Sequence, residues 1–261
     1  MANPLSAAVL GVVEGITEFL PISSTGHLIV TADLLQFDSA AAFEIIIQLG
    51  AVVAVIWFYH RQLLEQARQL PRDRSVQHFW LNIVLAFIPA AIIGLFLSDY
   101  VERVLFSPRV VAVSLIVGGI VLWIIEAVPR QPTTKEAAQI TFRQALIVGL
   151  AQLTALVPGV SRSGATIVGG MLSGLDRAAA TGFSFYLAIP TLGAATLYSL
   201  VKDFGAVTGG GLLDLTIGMV VSFITSLLAM GWLLRYIARH DFKVFAVYRI
   251  LAGIAILLLF R

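Results

Sequence analysis

The chain has 261 residues, of which 59% are hydrophobic and 12% charged, against roughly 45–50% and about 25% in soluble domains. That balance excludes an ordinary soluble domain and predicts a multi-pass helical membrane protein, because several apolar runs approach the about 20 residues that cross a bilayer. The absence of Cys excludes disulfides and thiolate metal sites, and a formal charge of +2 gives no ground for a nucleic-acid partner.

No Lys or Arg precedes Arg61, so the positive n-region of a signal peptide is missing and the first apolar segment is expected to stay in the mature protein. That segment carries residues 14–30, EGITEFLPISSTGHLIV. Two carboxylates, a Pro, a Ser-Ser-Thr run, Gly26 and a His thus sit in an apolar context, where polar groups persist only if paired, wetted or used. Spans are expected over 43–59, 79–98 and 110–128. A second polar-studded stretch follows at 141–175, and then spans over 180–201, 212–234 and 244–260. Both polar-studded stretches are interrupted midway, at Pro21 and Gly26 and at Pro158, Gly159 and Gly164. Broken helices at membrane depth are tolerated where they are buried in protein or line a wet cavity.

The two halves read as copies. Laying 11–30 over 149–168 pairs Gly11 with Gly149, Ser23 with Ser161, Gly26 with Gly164, Ile29 with Ile167 and Val30 with Val168; Glu14 falls on Gln152. If each interrupted stretch is a re-entrant hairpin, each half has three true crossings, and an odd number inverts the second half. The expected fold is therefore an all-α polytopic membrane protein: an inverted-topology repeat of six transmembrane helices plus two re-entrant hairpins. It forms a single membrane domain over 1–261, with repeats at about 1–130 and about 140–261. Positive residues collect after the first, third and fifth spans: Arg61, Arg68, Arg72 and Arg74; Arg130, Lys135 and Arg143; Arg235, Arg239 and Lys243. The opposite side has Arg103, Arg109, Lys202 and Arg261. The positive-inside rule makes the first group cytoplasmic, so the first hairpin enters from outside and the second from the cytoplasm.

Glu14 and Glu18 are four apart and share a helix face. Such a pair binds a hard divalent cation, splits into general acid and base, or lines a polar vestibule. Ser23, Ser24 and Thr25 follow Pro21 as candidate N-caps of a new half-helix. His27 lies one turn from Ser24, so the two could form a reacting pair, and a His can also attack phosphorus itself. In PGVSRSGAT, residues 158–166, small residues permit close backbone approach and a half-helix start offers N–H groups to an anion. Arg162 adds a planar fork for phosphate oxygens, the alternative being a salt bridge to Glu14 or Glu18. Trp57, Trp80, Trp123 and Trp232 read as interfacial anchors. The stretch 61–78 reads as a basic surface loop, Asp176 and Arg177 as a loop ion pair, and Glu44 and Gln48 as an i,i+4 pair that either supports the site or is solvated.

The pair Glu14 and Glu18, PISSTGH at 21–27 and PGVSRSGAT at 158–166 together resemble the signature motifs of the bacterial undecaprenyl-diphosphate phosphatase family of the bacitracin-resistance type. The similarity extends through FEIIIQLGAVVAV (43–55), FSFYLAIP (183–190) and FAVYRI (245–250), and so covers essentially the whole chain. The resemblance implies hydrolysis of undecaprenyl diphosphate to undecaprenyl phosphate at the outer face of the bacterial inner membrane. That reaction recycles the carrier for peptidoglycan synthesis and confers bacitracin resistance. It also implies a divalent cation, Mg²⁺ or Ca²⁺, at Glu14 and Glu18. Glu18, Ser24, His27 and Arg162 would be catalytic. Ser23, Thr25, Gly159, Ser161, Arg162, Ser163, Gly164 and Thr166 would bind the diphosphate. The nucleophile stays open among Ser24, His27 and a metal-bound water. The expected partners are the polyprenyl diphosphate, membrane lipids and a second copy in a homodimer. The alternative is a polyprenyl-phosphate flippase, acting alone or in addition to hydrolysis.

Overall fold

The computed structural model describes residues 3–37, 41–202 and 212–260, which fold as helices and contain no strand. In chain order these are α1 (Pro4–Thr17), α2 (Ser24–Leu34), α3 (Ala41–Phe58), α4 (His60–Gln69), α5 (Arg74–Leu105) and α6 (Pro108–Ala127). The second half adds α7 (Phe142–Gln152), α8 (Arg162–Leu172), α9 (Arg177–Lys202), α10 (Leu212–Ile237) and α11 (Lys243–Leu259). α5, α6, α9 and α10 are long and apolar enough to cross a membrane, and α3 with α4 makes a fifth such segment, bent by 65°. α11, at 17 residues, extends about 25 Å at the rise of an α-helix. α1, α2, α7 and α8 are each too short for a crossing at 14, 11, 11 and 11 residues, and they form the two hairpins.

The hairpins open at opposite ends of the molecule. Gln144, in the first turn of α7, donates to Ser173 O at the end of α8, 3.2 Å away, so chain entry and exit lie side by side. Ala7 of α1 and Ala32 of α2 bury into one cluster with Phe43 and Leu215, near the starts of α3 and α10. The three basic stretches gather at the end where the α7–α8 hairpin opens. There Asn82 donates to Ile140 O at 2.7 Å, and Glu126, buried at the end of α6, accepts from Phe242 N at 3.0 Å. Arg177 pairs with Glu126 of α6, rather than forming the loop pair with Asp176 that adjacency suggests. Asp176 caps α9 by accepting from Ala179 N at 2.7 Å. The stretch 61–78 is not a loop: it holds α4, none of whose residues is buried, and the start of α5. α5 also outruns the expected 79–98 at both ends and carries Pro89 inside it. Arg261 lies outside the described residues.

Packing repeats between the halves. α1 lies on α10 as α7 lies on α5, and α3 touches α10 as α9 touches α5. The matched glycines sit at the two hairpin crossings. A methyl group on Gly11 would lie 2.5 Å from Gly218 O of α10, and one on Gly149 would lie 2.7 Å from Ala86 O of α5. Close helix approach of this kind replaces the hydrophobic effect as the cohesive force between helices in lipid.

Gly11→Leu and Gly149→Leu should each cost about 1–3 kcal/mol through overpacking, seen as a lower Tm and a smaller monodisperse fraction of purified protein. Gly193→Leu is the control, because no atom lies within 4 Å of a methyl group there, and it should leave both measurements unchanged.

Candidate active site

Each hairpin breaks at a proline, which has no N–H to continue a helix and disfavours the α conformation in the residue before it. α1 ends at Thr17 and the chain turns through Glu18–Pro21; α7 ends in a 3₁₀ turn, Leu153–Leu156, ahead of Pro158. The new half-helices then start in the same unusual way. Ser23 has φ 72° and Ser161 φ 75°, a left-handed conformation that non-glycine residues adopt only where surroundings enforce it. These two serines were matched by the internal repeat. Hydroxyl caps were expected only at the first start, yet the second is the one that carries one: Ser161 Oγ accepts from Gly164 N at 3.1 Å. Ser23 makes no side-chain cap.

What holds the two breaks together is Arg249 of α11, 2% exposed. Its Nη1 donates to Pro21 O at 3.0 Å, and its Nη2 to Gly159 O at 3.1 Å and Val160 O at 2.9 Å. Longer bonds of 3.4 Å reach Leu115 O and Ser114 O of α6. One guanidinium therefore satisfies carbonyls from both chain breaks. Gly118 makes room for it: a methyl group there would lie 2.1 Å from Arg249 Nη2. A second link crosses directly, with Ser163 Oγ donating to Leu20 O at 2.9 Å.

Convergence of the breaks brings the polar residues of both hairpins to one place. Arg162 Nη2 meets Glu18 Oε1 at 2.9 Å, and Ser24 Oγ donates to Glu18 Oε2 at 2.5 Å. The salt bridge that the sequence allowed as the alternative role of Arg162 is thus present. Arg162 Nη1 donates to Ser184 O at 3.0 Å, and Ser184 Oγ shares a 2.7 Å hydrogen bond with Thr166. Two buried atoms in this group are left with no partner, Glu14 Oε1 and Arg162 Nε. Glu44 of α3 is close enough to Glu14 for the two carboxylates to interact electrostatically, while Gln48 accepts from Thr196 of α9 at 3.2 Å.

Ser24 and His27 are not hydrogen-bonded to each other here. Ser24 turns back to Glu18, and His27 bonds Ser23 O through Nδ1 and Tyr248 Oη through Nε2, both at 2.6 Å. Thr25 is half-buried beside them. On the second hairpin, Ser161 and Ser163 share a 3.0 Å hydrogen bond, and Thr166 donates to Arg162 O at 2.9 Å. Those three hydroxyls are engaged by the fold. Gly159 holds φ 92°, with Val111 O 2.6 Å from where a methyl group would go, so no other residue fits there. Sequence reasoning missed Tyr248, Arg249 and Ser184. Arg249 had a readable signal, a charge in the middle of an apolar span; Tyr248 and Ser184 had none.

Among the described residues no group of three or more His, Cys, Asp or Glu side chains is placed to hold a metal ion. Glu14 offers an open carboxylate oxygen, whereas both oxygens of Glu18 are already engaged. That set fits a cation whose remaining ligands are water and substrate phosphates, the usual manner of Mg²⁺.

The family model described as "Bacitracin resistance protein BacA" matches residues 7–255. The chain belongs to the BacA family. Curated relatives of this BacA-family chain include "Undecaprenyl-diphosphatase 3" of Acinetobacter baylyi, 47% identical with 96% of each chain covered. "Undecaprenyl-diphosphatase 1" of Burkholderia ambifaria is 50% identical and "Undecaprenyl-diphosphatase" of Deinococcus deserti 49%, each over 97% of this chain and 94% of the relative. The matched region of the BacA-family chain runs from before Glu14 to beyond Arg249, so it contains both hairpins and the clamp between them.

Arg249→Met would strip donors from the carbonyls of Pro21, Gly159 and Val160, at about 1–3 kcal/mol for each group left unsatisfied. A Tm at least about 5 °C lower is expected. Arg249→Lys should recover only part of it, since an ammonium lacks the planar fork. An unchanged Tm for Arg249→Met would refute the clamp.

Proposed function

We propose that this chain hydrolyses undecaprenyl diphosphate to undecaprenyl phosphate and inorganic phosphate. The observation that carries the reading is the pair of unpartnered buried groups, Arg162 Nε and Glu14 Oε1, beside the Ser24–Glu18–Arg162 chain. Buried polar groups without partners are expensive, and a bound diphosphate with its cation would satisfy both. The names of the curated relatives, at 46–50% identity across nearly the full chain, supply the substrate.

The chain's own residues divide the work as follows. Arg162 and the N-terminal N–H groups of α8 bind the phosphates, the guanidinium through its open Nε and the half-helix through its positive end. Ser24 Oγ attacks the terminal phosphorus while its proton passes to Glu18, already 2.5 Å away. The new bond is Ser24 O–P; the bond that breaks joins the terminal phosphorus to the bridging oxygen, which leaves with undecaprenyl phosphate. Water then attacks the phosphoserine with His27 accepting its proton, releasing inorganic phosphate and restoring Ser24. Glu14, through its open Oε1, would hold a Mg²⁺ or Ca²⁺ ion, which when bound neutralises diphosphate charge. Most of the acceleration in this scheme is positioning and electrostatic stabilisation.

The site belongs on the outer face of the bacterial inner membrane. In support, all three basic stretches lie at the end away from the mouth of the α1–α2 hairpin, and basic loops face the cytoplasm. Hydrolysis there would remove the diphosphate that bacitracin captures and return the monophosphate carrier to cell-wall synthesis.

Purified protein should release phosphate from undecaprenyl diphosphate with Mg²⁺ or Ca²⁺ and stop when the ion is chelated. Arg162→Ala should lose at least about 100-fold in kcat/KM, the scale for one preorganised donor, without losing its fold. Arg162→Lys should restore little, because a point charge does not replace the fork. No release by folded wild-type protein, or robust turnover by Arg162→Ala, would overturn the reading.

A further inference from the structure

His27 and Tyr248 make a contact that neither the sequence motifs nor the reaction scheme requires. His27 Nδ1 lies 2.6 Å from Ser23 O. A carbonyl oxygen only accepts, so Nδ1 carries the proton. In the neutral ring the other nitrogen, Nε2, then presents a bare lone pair, and the Tyr248 hydroxyl 2.6 Å away donates to it. The two rings lie nearly parallel, 7° apart with centroids 5.6 Å from each other, which suits a bond made in the plane of the imidazole. Which nitrogen of a histidine is reactive is set by the hydrogen bond that the other one makes. Here the bond to Ser23 O reserves Nε2 for chemistry, and Tyr248 is what meets it.

The placement of Tyr248 is rigid at its base and open at its tip. Its neighbour Arg249 is locked to Pro21 O at 3.0 Å, two residues from Ser23. α11 also packs along α6, and α6 against α2. The register of α11 against the first hairpin is therefore fixed next door to Tyr248. Tyr248 is nonetheless 44% exposed, and His27 is half-buried. Packing alone would be met by Phe at such a position. The hydroxyl earns its place through His27.

We propose that Tyr248 is a positioning residue for His27. Its O–H holds the imidazole plane in the resting site by donating to the Nε2 lone pair, at a contact open to the surface. A hydrolytic water arriving there takes over the same hydrogen bond, donating its O–H to Nε2 as Tyr248 does. The ring is thus already oriented as the base that the second step needs. This inference rests on the hydrolase reading of His27.

The test is a double-mutant cycle with a spectroscopic readout. Tyr248→Phe keeps the ring and removes the hydroxyl; kcat for phosphate release should fall about three- to tenfold, the scale of one lost hydrogen bond, with KM within about twofold. In a His27→Ala background, Tyr248→Phe should change kcat by less than about twofold, because the group it positions is gone. Equal losses in both backgrounds, or wild-type kcat for Tyr248→Phe, would overturn the proposal. Nitrogen-15 spectra of His27, assigned by the signal lost in His27→Ala, give an answer that does not depend on turnover. Wild type should show a protonated Nδ1 and a hydrogen-bonded, unprotonated Nε2. In Tyr248→Phe the Nε2 signal should move towards that of a nitrogen with no donor while Nδ1 stays put. An Nε2 signal indifferent to Tyr248→Phe would refute the contact. If the contact is seen but wild type releases no phosphate, the hydrolase reading fails and takes the positioning role with it.

Discussion

Two chain breaks meet inside a membrane protein, and the carbonyls at those breaks need donors that lipid does not supply. Arg249 supplies them. Its guanidinium reaches Pro21 O on one hairpin and Gly159 O and Val160 O on the other, so satisfying the backbone and joining the hairpins are one event. A guanidinium suits the task because its donors fan out in a plane, whereas an ammonium concentrates three at a point. Desolvating a charge is costly unless its donors are well used, and the converging carbonyls provide that use. Gly118 and the left-handed residues Ser23, Gly159 and Ser161 are local consequences of fitting this clamp.

The site follows from the clamp. Once the breaks are adjacent, Glu18 from one hairpin and Arg162 from the other come into contact, and Ser24 completes the chain from the far side of the first break. The repeat accounts for the matched geometry of the two breaks, and the polar residues differ where it is imperfect. Glu14 and Gln152 occupy matched positions, yet Gln152 has ordinary amide partners, with Thr191 donating to it at 3.3 Å. Glu14 keeps an oxygen with none. Likewise His27 in the first half falls on Ala165 in the second. In the proposed scheme the first copy supplies Ser24, Glu18 and His27, and the second the guanidinium and a helix start.

Much of this was legible in the sequence because hairpin breaks, small residues and intramembrane charges are local signals. The prolines marked both breaks, the Ser23–Ser161 match anticipated the shared left-handed turns, and parity of crossings anticipated hairpins opening at opposite ends. Contacts made across the break were not legible. Helical spacing pairs Ser24 with His27 one turn on, but Ser24 stands at the first turn of α2 and reaches back six residues to Glu18. The partner of His27 is 221 residues away, beyond any periodicity argument. Arg249 carried a visible signal, a charge within an apolar span, although its acceptors are main-chain atoms that no side-chain motif announces. The pair expected of Asp176 and Arg177 failed for a similar reason: Glu126, which Arg177 chooses, is distant in sequence and buried.

The central claim is that the two open groups, Arg162 Nε and Glu14 Oε1, are the diphosphate and cation positions of a site shared by both hairpins. The most direct test is an experimental structure with a non-hydrolysable polyprenyl diphosphate analogue and Mg²⁺. The account predicts a phosphate oxygen within hydrogen-bonding distance of Arg162 Nε, the ion on Glu14, and the terminal phosphorus facing Ser24 Oγ. An analogue bound elsewhere, with Arg162 Nε and Glu14 Oε1 still unpartnered, would contradict it.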